Sequence, residues 1–264
     1  MPEGHTLHRL ARLHQRKFGR APVIVSSPQG RFADGAAAVN GRVLKKASAW
    51  GKHLFHHYEG GRVVHVHLGL YGTFSESSVP MPPPVGQVRM RMVGAEFGSD
   101  LRGPTVCEVI DEAEIDDVIS RLGPDPLRRD ADGSLAWARI SKSRRPIGAL
   151  LMDQTVIAGV GNVYRNELLF RHRIDPYRLG TQISEDEFTA MWTDLVELMK
   201  VGLRRGKIVT VEREDDHGLP SYRPGRPRTY VYRRAGEPCR ICGTELRTAV
   251  LEGRNLFWCP NDQS

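Results

Sequence analysis

The sequence predicts an α+β protein in two parts: an N-terminal helix with a β-sandwich or flattened barrel, then a helical region closing in a cysteine-bearing hairpin. Three observations predict it. Apolar residues recur at helical spacing at the start of the chain and again in its second half, while the stretch between alternates with period two. The cluster Gly123-Pro124-Asp125-Pro126 separates the two regimes. Three of the four cysteines fall in the last stretch of the 264 residues.

Residues 4–18 carry Leu7, Leu10, Ala11, His14 and Phe18 on one side and Arg9, Arg12, Arg16 and Lys17 on the other, the pattern of a helix lying on a core. Pro2 and Glu3 suit its start, since proline pre-sets a helical φ and a carboxylate favours the positive end of the helix dipole. With Met1 removed, the same pair presents a secondary amine beside a carboxylate. Strands follow. Val64, Val66, Leu68 and Leu70 alternate with His65, His67 and Gly69, and Val88, Met90 and Met92 alternate with Arg89 and Arg91. Glu59-Gly60-Gly61 marks a hairpin turn, and the proline run at 79–84 is a loop. Beyond the breaker cluster, residues 160–171 and 184–204 read as helices, the second opening on a capping box, Ser184 to Glu187. Residues 221–239 mix proline, arginine and tyrosine, as an exposed loop leading into a hairpin does.

A formal charge of +7 and a sequence pI of about 9.4 favour a polyanionic partner such as nucleic acid. The start of the chain has no apolar signal core, and no apolar run reaches membrane-spanning length. Few, clustered cysteines suit a metal site in the cytoplasm better than a disulfide framework. Cys239-Arg240-Ile241-Cys242-Gly243 has the form of a zinc knuckle, answered by Cys259-Pro260-Asn261-Asp262; zinc accepts three thiolates and one carboxylate. A metal-free hairpin is the alternative. Cys107 reads as a small core residue.

Ala158-Gly159-Val160-Gly161-Asn162 lacks a βαβ context, so its glycines either expose N–H groups that accept a phosphate at a helix start, with Asn162 adding a donor, or simply turn the chain. Lys52, placed in a strand segment, is a solvated lysine or a phosphate holder. His65 and His67 lack the further ligands a metal pair needs. Leu70 and Tyr71 are edge residues of their strand, or an apolar wedge and a stacking ring for opened DNA.

Taken together, Pro2-Glu3-Gly4, Gly51-Lys52, Gly123-Pro124-Asp125, DQTVIAGVGNVYRNELLF and the tail GEPCRICG…GRNLFWCP resemble the formamidopyrimidine-DNA glycosylase and endonuclease VIII family, in order from Met1 to Ser264. Pro2-Glu3-Gly4 and Leu70-Tyr71-Gly72 resemble the endonuclease VIII branch, which favours oxidised pyrimidines. The resemblance implies a helix and β-sandwich catalytic domain at 1–122 and a hinge at 123–133. It implies a helix-two-turns-helix DNA-binding domain at 134–220, and a loop with a zinc-finger hairpin at 221–264. It implies one structural Zn2+, held by Cys239, Cys242, Cys259 and Asp262. The expected partner is damaged DNA, duplex or single-stranded, bound by a monomer with no membrane role.

The resemblance also implies a chemistry. Pro2 attacks C1′ of a flipped nucleotide and forms a Schiff base, and Glu3 moves protons beside it. A terminal amine titrates near 7.7–8.0, against about 10.4 for lysine, so part of it is unprotonated at neutral pH. Lys52 holds a phosphate and assists. β,δ-Elimination then cuts both sides of the abasic site, and Arg121, Asn162 and Arg254 clamp phosphates, Arg254 being linked to the last elimination. Three positions depart from the family pattern. Thr6 stands where a second glutamate is common, Gly69 where endonuclease VIII often has glutamine, and Asp262 where a fourth cysteine is usual. The rival readings are a DNA-binding module without chemistry and an abasic-site lyase with little base excision.

Overall fold

A computed structural model describes residues 2–216 and 228–263, so Met1, Ser264 and the first part of the expected proline- and arginine-rich loop, residues 221–227, lie outside the described residues. The chain divides into two compact units, Met1–Arg121 and Leu122–Ser264.

The first unit opens with α1 (Gly4–Phe18), whose buried face is Leu7, Ala11, His14 and Phe18 and whose four basic side chains are exposed. Two four-stranded antiparallel sheets follow. One has the order β2 (Leu44–Trp50), β3 (His53–Tyr58), β4 (Arg62–His67), β8 (Val106–Ile110); the other is β1 (Ile24–Ser26), β6 (Val88–Val93), β7 (Phe97–Arg102), β5 (Thr73–Ser78). Gly60 and Gly61 turn β3 into β4 with φ of +83° and +71°, the left-handed pair that a tight hairpin needs. The core between the sheets and α1 holds Leu7, Phe18, Val64, Val66, Met90 and Met92.

The period-two reading holds fully for β6 and fails for β4, where Val63, Val64, His65 and Val66 are all buried. The reason is a second apolar layer, Phe55, Val63, Ile110 and Ile115, which covers the outer face of the sheet. Ile115 belongs to α3 (Glu112–Ser120), and α2 (Ala33–Val39) is a further helix; the unit has more helix than the one expected. A capping box of Asp111 and Glu114 starts α3, an arrangement worth about 1 kcal/mol.

The second unit is helical: α4 (Gly133–Ile140), α5 (Ile147–Leu150), α6 (Asn162–Arg171) and α7 (Glu185–Arg205). Ser184 and Glu187 form the expected capping box, and Gly206 ends α7 at φ +68°. Ile140, Ile147, Tyr164, Leu168, Leu195 and Met199 fill its core. The hairpin β9 (Arg247–Leu251) and β10 (Arg254–Trp258) packs on α6 through Phe257 and Phe170 in a smaller cluster containing Cys239 and Cys259.

Candidate active site and zinc hairpin

In the first unit, Glu3 is the residue before α1, in extended conformation, with its carbonyl accepting from Thr6 N–H at 2.8 Å. Its side chain makes no cap hydrogen bond, yet it is fully buried. Pro2 beside it is half-buried.

Two fixed points set α1 antiparallel to β2. Gly19 bridges Leu44, and the Gln15 side-chain oxygen accepts from Ala47 N–H at 2.7 Å. Lys52 is not inside a strand: Gly51, at φ +56°, and Lys52 form the two-residue turn that closes the Trp50–His53 pair.

His53 pairs across β4 with His67, so the turn after β4 lies at the same end of the sheet. The alternation seen in the sequence ends there. Gly69, at φ +65°, leaves the strand and donates its N–H to His67 Nδ1 at 3.2 Å, and Gly72 N–H closes the loop on Leu68 at 2.9 Å. Leu70 and Tyr71 stand at its tip, Tyr71 86% exposed. They are loop residues, not strand-edge residues.

Behind Lys52 sit three histidines. His53 Nδ1 and His65 Nε2 are 2.8 Å apart, and His65 Nδ1 meets Glu108 Oε1 at 3.0 Å. Burial lowers all three pKa values, His53's to about 3, with Lys52 adding to the shift at His53 and His67. Among the described residues no metal-ligand group includes them. Arg121 ends α3, exposed, its Nε donating to Asp117 O at 2.9 Å.

In the second unit, Gly161 caps α6 and Asn162 is its first residue, buried. Gln154 braces the preceding turn, accepting from Gly159 N–H at 3.0 Å and donating to Val160 O at 2.9 Å. The Asn162 amide donates to Asn255 O at 2.9 Å and accepts from Arg165. Arg254 opens β10 directly after the Glu252-Gly253 turn, half-buried.

Sequence reasoning missed Arg165, Asn166 and Glu167, each fully buried. Glu167 accepts from Tyr230 N–H at 2.6 Å, Val231 N–H at 2.9 Å, Tyr232 N–H at 2.8 Å and the Thr210 hydroxyl. The available signal was the stretch from 162 to 167, too polar for the interior position its glycine-rich start and LeuLeuPhe end suggest.

The ligand atoms of Cys239, Cys242, Cys259 and Asp262 all lie within 4.8 Å of one another. Backbone N–H groups of Ile241 and Asp262 point at Cys239 and Cys259 sulfurs, each at 3.4 Å. Burial pushes the Cys239 thiol up to about 12, so a divalent cation is what would hold it as thiolate. The donor set, its closeness and its N–H···S bonds fit one structural zinc ion.

The sequence matches the formamidopyrimidine-DNA glycosylase N-terminal domain over residues 1–105, the H2TH domain of the same enzymes over 122–214, and the zinc finger found in FPG and IleRS over 236–264. It is 78% identical to Endonuclease 8 1 of Mycobacterium tuberculosis and of Mycobacterium bovis, over 98% of each chain. The chain belongs to the formamidopyrimidine-DNA glycosylase and endonuclease VIII family. A formamidopyrimidine-DNA glycosylase of Parasynechococcus marenigrum is 31% identical over 100% of this chain and 99% of its own. Among solved structures, Lactococcus lactis Fpg with an abasic-site DNA matches with TM-score 0.82 at 20% identity over 99% of both chains. The same protein with a FAPY-dG DNA matches with TM-score 0.80 at 21% identity, over 98% of this chain and 99% of that one. The fold is that of the family: helix and β-sandwich, H2TH helical domain, and zinc-finger hairpin. No helix among the described residues is long and apolar enough to cross a membrane.

Proposed function

We propose that the chain is a bifunctional DNA glycosylase and abasic-site lyase that removes oxidised pyrimidines and cleaves abasic sites. The observation that carries this reading is the buried Glu3 carboxylate, not used as a helix cap, directly beside Pro2. Membership of the family supports it, as does a 78% identical Endonuclease 8 1.

With Met1 removed, the Pro2 nitrogen lone pair attacks C1′ as the bond from C1′ to the damaged base breaks, the base leaving with a proton that Glu3 supplies or relays. Pro2 then loses its N–H proton and the C1′–O4′ bond opens, O4′ taking a proton from Glu3, to leave a ring-opened iminium. The resulting iminium acidifies C2′–H. Loss of that proton expels the 3′ phosphate; a second elimination expels the 5′ phosphate, and water releases the sugar fragment from proline. Lys52 holds a backbone phosphate at the same end of the sheet, and Leu70 and Tyr71 enter the opened duplex. Arg121, and Asn162 with the start of α6, hold further phosphates; Arg254 holds one in the last elimination. Zinc has a structural role only. Affinity falls steeply with salt, because phosphate contacts dominate.

The test is borohydride trapping on an abasic-site duplex, with Pro2→Ala alongside and the mass of the protein measured to establish loss of Met1. A covalent adduct that Pro2→Ala cannot form is the expected result. Binding without an adduct, in protein lacking Met1, leaves a DNA-binding module. Cleavage of abasic sites without release of an oxidised pyrimidine leaves a lyase.

A further inference from the structure

The face that α6 turns to the zinc hairpin is polar and buried. Asn162, Arg165 and Asn166, at i, i+3 and i+4, are each at most 4% exposed. Together they satisfy backbone groups of the hairpin: Asn255 O accepts from Asn162 and, at 3.1 Å, from Arg165, and Phe257 N–H donates to Asn166 Oδ1 at 2.6 Å. The Arg165 guanidinium also reaches Leu251 O and Gly148 O, both at 3.5 Å, and donates to Asn162 Oδ1.

The two hairpin carbonyls that Arg165 holds are Leu251 O on β9 and Asn255 O on β10. They bracket the turn and Arg254 between them. One planar, five-donor group thus fixes both strands on either side of the one arginine at the hairpin tip. A lysine offers a single nitrogen and cannot span the two strands in the same way. An apolar core would have been cheaper than a buried guanidinium if packing were its only task.

We infer that Arg165 is a positioning residue for Arg254: it sets the hairpin tip at the start of α6 so that Arg254 meets a DNA phosphate. This rests on the proposed function, which makes Arg254 a phosphate contact. Arg165 is buried and does not touch the DNA itself; it acts through the hairpin.

The test is a double-mutant cycle on the zinc-loaded full chain: parent, Arg165→Met, Arg254→Ala and both. Each is measured for affinity to a duplex carrying a tetrahydrofuran abasic analogue at several salt concentrations, with zinc content and melting recorded. Losing one phosphate contact lowers the slope of log affinity against log salt by about 1. Arg254→Ala is expected to show that drop with an affinity loss of about tenfold. Arg165→Met is expected to show the same drop, and the double variant no more than either single one. With zinc content and melting at the parent values, so that the hairpin itself is intact, a parent slope in Arg165→Met, or a drop of about 2 in the double variant, overturns the inference. If Arg165→Met does not melt cooperatively, the cycle is run with Arg165→Lys under the same criterion. A parent chain without salt-dependent affinity, or an unchanged slope in Arg254→Ala, defeats the functional reading instead, and this inference falls with it.

Discussion

The two units bury polar side chains for opposite reasons. In the first, the buried polar groups are largely histidines that face each other: His14 Nδ1 and His56 Nε2 are 2.9 Å apart, both fully buried, among Phe18 and Phe74. The sheets already satisfy the backbone, so these rings have only one another, and burial keeps them neutral. In the second, α6 buries Asn162, Arg165, Asn166 and Glu167 against irregular chain and a two-stranded hairpin, whose backbone groups have too few ladder partners. Polar side chains supply the missing bonds, and a metal supplies what a small core cannot. The first unit is thus sensitive to protons and the second to loss of its metal or of one carboxylate.

Removing zinc gives the largest effect. Structural zinc contributes about 10 kcal/mol or more in small fingers, so chelation or Cys259→Ser is expected to unfold the hairpin and abolish DNA retention. Trp258, on β10, reports the loss by fluorescence while the circular dichroism of the sandwich persists. A hairpin that stays folded at zero zinc content would break the comparison.

Acid acts on the other unit. Burial lowers His14 and His53 to about 3, His5 to about 4, and His56 well below its usual value. Each folded value lies below the unfolded value near 6.5, so the stability they contribute is complete above 6.5 and drains as pH falls toward the folded values. From pH 7.5 to 5.5 each costs about 1.4 kcal/mol, at most about 5 kcal/mol for the four. In the second unit the lowered carboxylates include Glu187, at about 2, and Asp194, below its usual range despite burial, through bonds from His172 and Arg171. Their contribution is lost only as pH falls below about 4.5. Urea unfolding at pH 7.5 and 5.5 is expected to weaken the first unit alone. His14→Leu with His56→Leu is expected to be near neutral at pH 7.5 and to halve the acid loss, because both members of a buried pair go together.

Glu167→Ala ranks next. Its carboxylate, pushed up by burial against the pull of four donors, leaves those donors without an acceptor when removed. The expected cost is about 3–5 kcal/mol, read as a lower denaturation midpoint of the second unit. An unchanged midpoint would mean that water replaces the carboxylate freely.

Much of this contrast was legible in the sequence, but unevenly. Period and caps gave α1, β6 and α7, because those signals come from neighbours along the chain. The zinc ligands were readable from knuckle spacing, and Pro2, Glu3, Lys52 and Arg254 only through family resemblance. β4 misled because α3 covers its second face, and the Asp111–Glu114 box that starts α3 was visible but passed over. The polar face of α6 left only a faint signal, a polar stretch in an otherwise interior position, and nothing that named its partners. Its partners are largely backbone atoms, most of them 63 to 93 residues away, and a backbone atom leaves no signature in residue type.

Gly69 sharpens the comparison at the smallest scale, since it is where this chain departs from the glutamine common in endonuclease VIII. Its φ of +65° disfavours a side chain, and a Cβ there would come within 1.8 Å of Thr105 Oγ1. The sequence reading treats the glycine as an absent side chain in the opened duplex; the structure adds that Thr105 occupies the space. Gly69→Gln is expected to lose about 2 kcal/mol, roughly half from the left-handed backbone and half from the clash. Gly69→Gln with Thr105→Ala should recover the second half, because Oγ1 is the nearest obstacle. Melting of both variants checks this. If the double variant recovers nothing, backbone strain accounts for the whole cost, and the turn that carries Leu70 and Tyr71 requires glycine whatever stands at 105. If it recovers about half, the glycine and the threonine form a matched pair, and their joint exchange would place a glutamine beside Leu70 without unfolding the loop.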